Sequence, residues 1–184
     1  MSVFDPRRNH AALAALYDAG DAIAAWPDGR LFAVAPEVSA WSPAHHLHHV
    51  ALANEHILSD LAKAARAETP DAPKGRINAM GLAILTVGRI PRGHGKAPRE
   101  VSPPDDLARA GFEAAHARSR SAFEALEPYL DALPVLEARM RHPFFGMLNA
   151  PQWLRFLLIH TRHHLAIIDD IAETVPPQPR TARP

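Results

Sequence analysis

The run Pro151–Ile171 carries apolar side chains at helical spacing, with no glycine and no proline after its first residue. Trp153, Phe156, Leu157, Ile167, Ile168 and Ile171 share one face, so this segment must pack as an amphipathic helix against other elements. His160 and His164 leave that same face one turn apart, because residues four apart lie above one another on a helix. Two imidazoles on a core-facing stripe are costly to desolvate unless something binds them. A divalent cation would do so, and the pair therefore predicts a further ligand on another helix.

The rest of the chain repeats the helical period, and alternating strand patterns are scarce. An all-α fold is expected. Asp5-Pro6 opens a first helix whose Leu13, Leu16, Tyr17 and Ile23 face inward, ending before Trp26-Pro27-Asp28-Gly29. Ser42-Pro43 opens a second, with Ser as cap and Pro in the first turn, running to about Ala67. A Pro-rich break over Thr69–Gly75 precedes a short apolar helix over Ile77–Val87. Arg89–Pro104 is a long Pro/Gly loop, either a lid over a site or only a connection, with Arg92 and His94 in it. Asp105 and Asp106 favour a helix N-terminus, where carboxylates oppose the positive dipole end, and that helix continues to about Leu126. Pro128 and Pro134 make the next stretch irregular, His142–Leu148 reads as a compact aromatic loop, and Asn149 caps the last helix. The expectation is a four-helix bundle with one short extra helix. It forms a single domain over residues 1–175, with a disordered tail over 176–184.

Lysine plus arginine and aspartate plus glutamate balance at 20 each, so no net field attracts nucleic acid. No apolar run is long enough for a membrane span, and the first residues lack a signal-peptide core, which makes the cytoplasm the expected location. The chain has no cysteine, which restricts any transition-metal site to imidazole, carboxylate and water. Seven of the 12 histidines fall in two groups, His45, His46, His48 and His49, then His160, His163 and His164. Spacing alone leaves open whether His45 or His49 meets the late pair. Three imidazoles would leave coordination positions open, as in sites where a metal does chemistry, whereas structural zinc is usually closed by four protein ligands.

Trp41, Ser42 and His49 at the start of the second helix, and His160 with His164 in the last, give the chain its resemblance to the DinB/YfiT-like superfamily of metal-binding four-helix bundles. It also resembles one branch of that superfamily through Gly88-Arg89-Ile90-Pro91-Arg92-Gly93, with Lys96-Ala97-Pro98 close behind. His142-Pro143-Phe144-Phe145-Gly146 and the Gln152-Trp153 helix start carry the same likeness, which covers about residues 38 to 172. The resemblance implies an up-down-down-up bundle and His49, His160 and His164 as ligands of a divalent metal, zinc, nickel or iron. His163 would point off the ligand face. Some members transfer thiol cofactors and some are hydrolases, so a small-molecule thiol S-transferase or a hydrolase is implied. The competing reading is a non-catalytic metal-binding bundle, or one that forms a homodimer through apolar helix faces.

His116 shares a helical face with Phe112, Ser119, Phe123 and Leu126, so it is either a hydrogen-bonded core histidine or a partner that orients a metal-bound imidazole. Glu55 and Glu113 are candidate acceptors for such an imidazole. His45 or His116 would be the fourth ligand if the site were closed. His56 is read as a partly exposed helix residue and His142 as a packing and turn residue. Phe144, Phe145, Trp153 and Trp41 are expected to close one end of the bundle, and Arg155 and Arg162 to be solvated.

Overall fold

A computed structural model describes residues 2–68, 74–93 and 97–175. Most of the Pro-rich break, His94 to Lys96 of the long loop and the tail over 176–184 lie outside the described residues. Among the described residues six α-helices form, α1 (Pro6–Ala24), α2 (Asp28–Leu31), α3 (Pro43–Ala65), α4 (Ala79–Val87), α5 (Arg109–Leu126) and α6 (Ala150–Thr174). Three single turns of 3-10 helix lie at Arg99–Val101, Glu127–Tyr129 and Leu133–Val135.

The helices begin where their capping groups stand. Asp5 accepts from the Arg8 amide and Ser42 from the His45 amide, each with a proline next to it in the first turn. Such caps satisfy amides that have no partner within the helix. Asn149 accepts from the Gln152 amide while the Gln152 side chain accepts from the Asn149 amide, a reciprocal box that fixes the start of α6. α5 starts later than expected. Asp105 and Asp106 lie in a turn closed by the Leu107 amide on the Pro104 carbonyl, and the helix begins at Arg109 with no side-chain cap.

The all-α expectation needs one correction. Arg139–His142 (β1) and Gly146–Asn149 (β2) pair as an antiparallel hairpin, with His142 opposite Gly146, where a compact loop was expected. Tertiary contacts hold these short strands. The Asn78 amide donates to the Phe145 carbonyl (2.8 Å), its side-chain amide to the Phe144 carbonyl (2.8 Å), and the Met147 amide to the Arg76 carbonyl (3.1 Å). Gly146 sits at φ +82, and a Cβ there would fall 2.7 Å from the Arg76 carbonyl oxygen, so both its backbone and its neighbour demand glycine. Gly81 lets α4 approach equally closely, since a Cβ there would stand 2.5 Å from the Phe145 Cβ.

α3 packs against α5 and α6, and α6 also against α1. The larger core joins Leu13, Leu58, Leu61, Leu126, Leu154 and Leu157, all essentially sealed from solvent. A second one gathers Ile23, Leu31, Leu47, Phe112, Leu165 and Ile168 around the other end of α6. The last helix thus runs through both cores, and that burial is what forces its histidines into the protein. No helix among the described residues is long and apolar enough to cross a membrane.

Candidate metal centre

Three imidazoles meet between α3 and α6. His49 Nε2 lies 3.1 Å from His160 Nε2, and His164 Nε2 lies 3.2 Å from the same atom. One ligand atom from each of the three lies within 4.8 Å of those of the other two. Among the described residues no fourth histidine, aspartate or glutamate joins this group. Metal–imidazole bonds of about 2.0–2.1 Å at tetrahedral angles put neighbouring nitrogens about 3.3 Å apart, close to the spacing found.

The remaining ring nitrogens decide which way the lone pairs point. His49 Nδ1 donates to the Val101 carbonyl at 2.8 Å, which leaves Nε2 as a bare acceptor facing the cluster. The 3-10 turn at the end of the long loop supplies that carbonyl. His164 Nδ1 lies 2.9 Å from His46 Nδ1, and His46 Nε2 lies 2.9 Å from Ser39 Oγ, which also accepts the Trp41 amide at 3.1 Å. We assign His164 Nδ1–H as donor to His46, and His46 Nε2–H as donor to Ser39, since this tautomer set satisfies the whole chain. His164 Nε2 then also presents a lone pair. His160 differs: its Nδ1 is buried without a partner, and its ring stacks on Phe156 with centroids 5.1 Å apart.

The rings are held neutral. Burial, reinforced by the other histidines, pushes His160 and His164 well below the usual imidazole range. Burial also lowers His49, against the opposing pull of the Val101 carbonyl, and it brings His46 down to about 3. Imidazole binds a metal in its neutral form, so no charged ring has to lose a proton before a cation is held here. The donor set therefore fits a borderline first-row divalent ion, and without cysteine it offers no soft thiolate site.

The cluster opens onto a cavity of about 950 Å³ lined by His49, His160 and His164 themselves and walled by Trp41, Trp153 and Phe156. The turn Phe144–Phe145, α4 and the stretch from Ile90 to Val101 complete it, apart from the undescribed residues 94–96. The long connection thus contributes both a wall of the cavity and the carbonyl that orients His49.

Other expected residues stand elsewhere. His45 Nδ1 lies 2.7 Å from Ser42 Oγ at the helix cap, away from the cluster. His116, expected either as a core histidine or as a partner of a ligand imidazole, pairs through Nε2 with Asp21 Oδ1 at 2.6 Å and is not brought to the three rings. The physical reason is helical phase: Ser119 and Phe112 take the sealed positions of α5, and His116 falls on the flank facing α1. Glu55 and Glu113 are held by Arg118 and Arg109, so neither reaches an imidazole of the cluster. Arg155 donates to the Leu85 carbonyl (3.0 Å) rather than only to water. His163 and the largely exposed His56 line the cavity but stand outside the group of three. His46 and Ser39 are the functional residues that sequence reasoning missed. Four histidines in five positions gave no signal that His46 and His49 both turn toward α6.

A mostly helical protein whose imidazoles converge beside a cavity carries a group of three histidines that could hold a metal ion. The DinB superfamily model matches residues 8–168, and the chain belongs to that superfamily. Comparison with curated proteins and with solved structures gives no match.

Proposed function

We propose that this chain is a metal-dependent enzyme acting on a small molecule, a hydrolase or a thiol S-transferase, with a divalent cation held by His49, His160 and His164. The observation that carries the reading is the pairing of three convergent Nε2 atoms with a cavity that opens directly onto them. A cation with three protein ligands keeps coordination positions for other molecules, whereas a structural site is usually closed by a fourth residue. When bound, the cation acts as a Lewis acid that lowers the pKa of a water, from about 15.7 to about 7, or of a small thiol near about 8.5.

The chain's own residues do the rest. His49 and His164 keep their Nε2 lone pairs aimed inward because Val101 and His46 occupy the other nitrogens. Trp41 and Phe156 pack against the imidazoles and limit access of bulk water to the cavity face. The cavity is within the roughly 300–1,000 Å³ of small-molecule sites, so its walls can orient a substrate of that size. The four long helices are read as an up-down-down-up bundle, an order that the long connection between α3 and α5 supports.

The test is to load the protein with zinc, nickel and iron in turn and to assay hydrolysis of apolar esters and amides and transfer of small thiols. The expected outcome is an activity that needs the metal and is lost in His160→Ala. Activity that survives His160→Ala unchanged, or metal-loaded protein inert in every arm, would return the chain to the non-catalytic reading.

A further inference from the structure

His142 closes β1 and begins the turn that carries Phe144 and Phe145 over the cavity. Its Nδ1 accepts the amides of both, each at 3.2 Å. A nitrogen that accepts two N–H groups carries no proton of its own, so the proton of the neutral ring is on Nε2. The ring cannot easily turn over. It is stacked on Phe145 at 4.1 Å and 7°, and it meets Phe156 edge to face at 4.5 Å and 73°. Burial brings its pKa down to about 4, so the ring is uncharged at neutral pH.

Nε2–H makes no hydrogen bond among the described residues. It is not sealed off either, unlike Nδ1 of His48 and of His160. His142 lines the cavity. A hydrogen-bond donor in an apolar wall with nothing to donate to is the arrangement by which small-molecule sites fix orientation. Phe156 packs on both His142 and His160, and all three line the same cavity.

We propose that His142 Nε2–H recognises a neutral carbonyl oxygen of an otherwise apolar ligand in this cavity. The inference rests on the reading that the cavity is the ligand site. Phe145, Trp153, Phe156 and Ile84 are in the wall, and of its charged residues Asp60, Glu100 and Arg141 two are acidic, so it gives little to compensate for stripping water from a carboxylate. A carbonyl loses less on entering, and one neutral donor suffices for it. His142 acts here as a positioning residue that selects and orients, with no part in bond breaking.

Benzophenone and diphenylmethane are matched in shape and differ in the carbonyl. Their binding is read from the indole N–H signals of Trp41 and Trp153, both in the cavity wall. Wild-type protein should bind benzophenone about fivefold more tightly, the net worth of one neutral hydrogen bond. In His142→Asn the amide oxygen can still accept the turn amides but nothing replaces Nε2–H. The ratio should fall to about one. If that variant fails to fold, imidazole ¹⁵N spectra of the wild type carry the test. The His142 Nε2–H signal should shift with benzophenone and stay fixed with diphenylmethane. Equal binding of the two probes, or a preference that persists in a folded His142→Asn, would overturn the proposal and leave the metal reading standing. Failure of both probes to bind would overturn it together with the cavity as ligand site.

Discussion

Two buried polar clusters join α3 to α6, and they differ in what their polar atoms face. In the first, Asn54 donates to Tyr17 Oη (3.3 Å) and to Thr161 Oγ1 (3.2 Å), and Tyr17 Oη lies 2.6 Å from Ser119 Oγ. Its donors meet acceptors, Asn54 Oδ1 alone lacking a partner, and the void beside them is about 10 Å³, at the lower bound of what one water needs, roughly 10–15 Å³. In the second, three Nε2 atoms crowd together, two of them acceptors, beside a cavity of about 950 Å³. The first fastens helices together, since complementary groups in a tight space have little left to offer a ligand. The second gathers metal-ligating nitrogens and opens onto room for a ligand. Burial, polarity and one unpartnered atom are common to both; the kind of atoms gathered and the room beside them separate a staple from a site.

Acid should separate the two most strongly. The hydroxyl and amide network has no group that protonates in mild acid, and burial raises Tyr17 above its ordinary value near 10. The histidine end is different, because its rings are held neutral below their unfolded pKa of about 6.5. The unfolded chain therefore takes up protons first. Stability is complete above about pH 6.5 and is lost as pH falls toward the folded values, about 4 for His142 and about 3 for His46. Each of these two rings should cost roughly 2–3 kcal/mol by pH 4.5, measured by denaturant unfolding at a series of pH values. A stability flat from pH 7 to 4.5 would erase the distinction.

His46→Phe breaks the site without touching the staple. It keeps an aromatic ring against Trp41 but removes the acceptor that orients His164. Metal affinity, read by calorimetric titration, should fall about 10–100-fold. An unchanged affinity would mean that His164 is positioned by packing alone. Asn54→Leu sharpens the comparison from the other side. Removing the amide leaves Tyr17 and Thr161 short of a donor and should cost about 1–3 kcal/mol of stability. Metal affinity should stay as in the wild type. A loss of affinity there would show that the two clusters act as one.

How much of this was legible in the chain depends on whether the signal was local. The starts of α1, α3 and α6 could be read from Asp5-Pro6, Ser42-Pro43 and Asn149, because a cap and its amide lie three residues apart. The His160/His164 pair was legible for the same reason. The β-hairpin was not. Arg139-Met140-Arg141-His142 is too short, with one aliphatic residue, to show a strand period, and the hairpin is held through Phe145 and Met147 by Asn78 and Arg76, far away in sequence. The delayed start of α5 also escaped, since paired aspartates after two prolines serve a turn as well as a helix end. At the site, spacing left His45 and His49 equivalent. The chain closure over Val101 and the Ser39–His46–His164 relay are tertiary facts with no sequence period.

The central claim is that His49, His160 and His164 together hold one divalent ion and leave it open to small molecules. X-ray absorption at the metal edge of the zinc-loaded protein tests it most directly. The account predicts three imidazole nitrogens at about 2.0–2.1 Å with at least one further light ligand that small-molecule anions can replace, and loss of this pattern in His160→Ala. A shell of four imidazoles, or a spectrum that His160→Ala leaves unchanged, would contradict it.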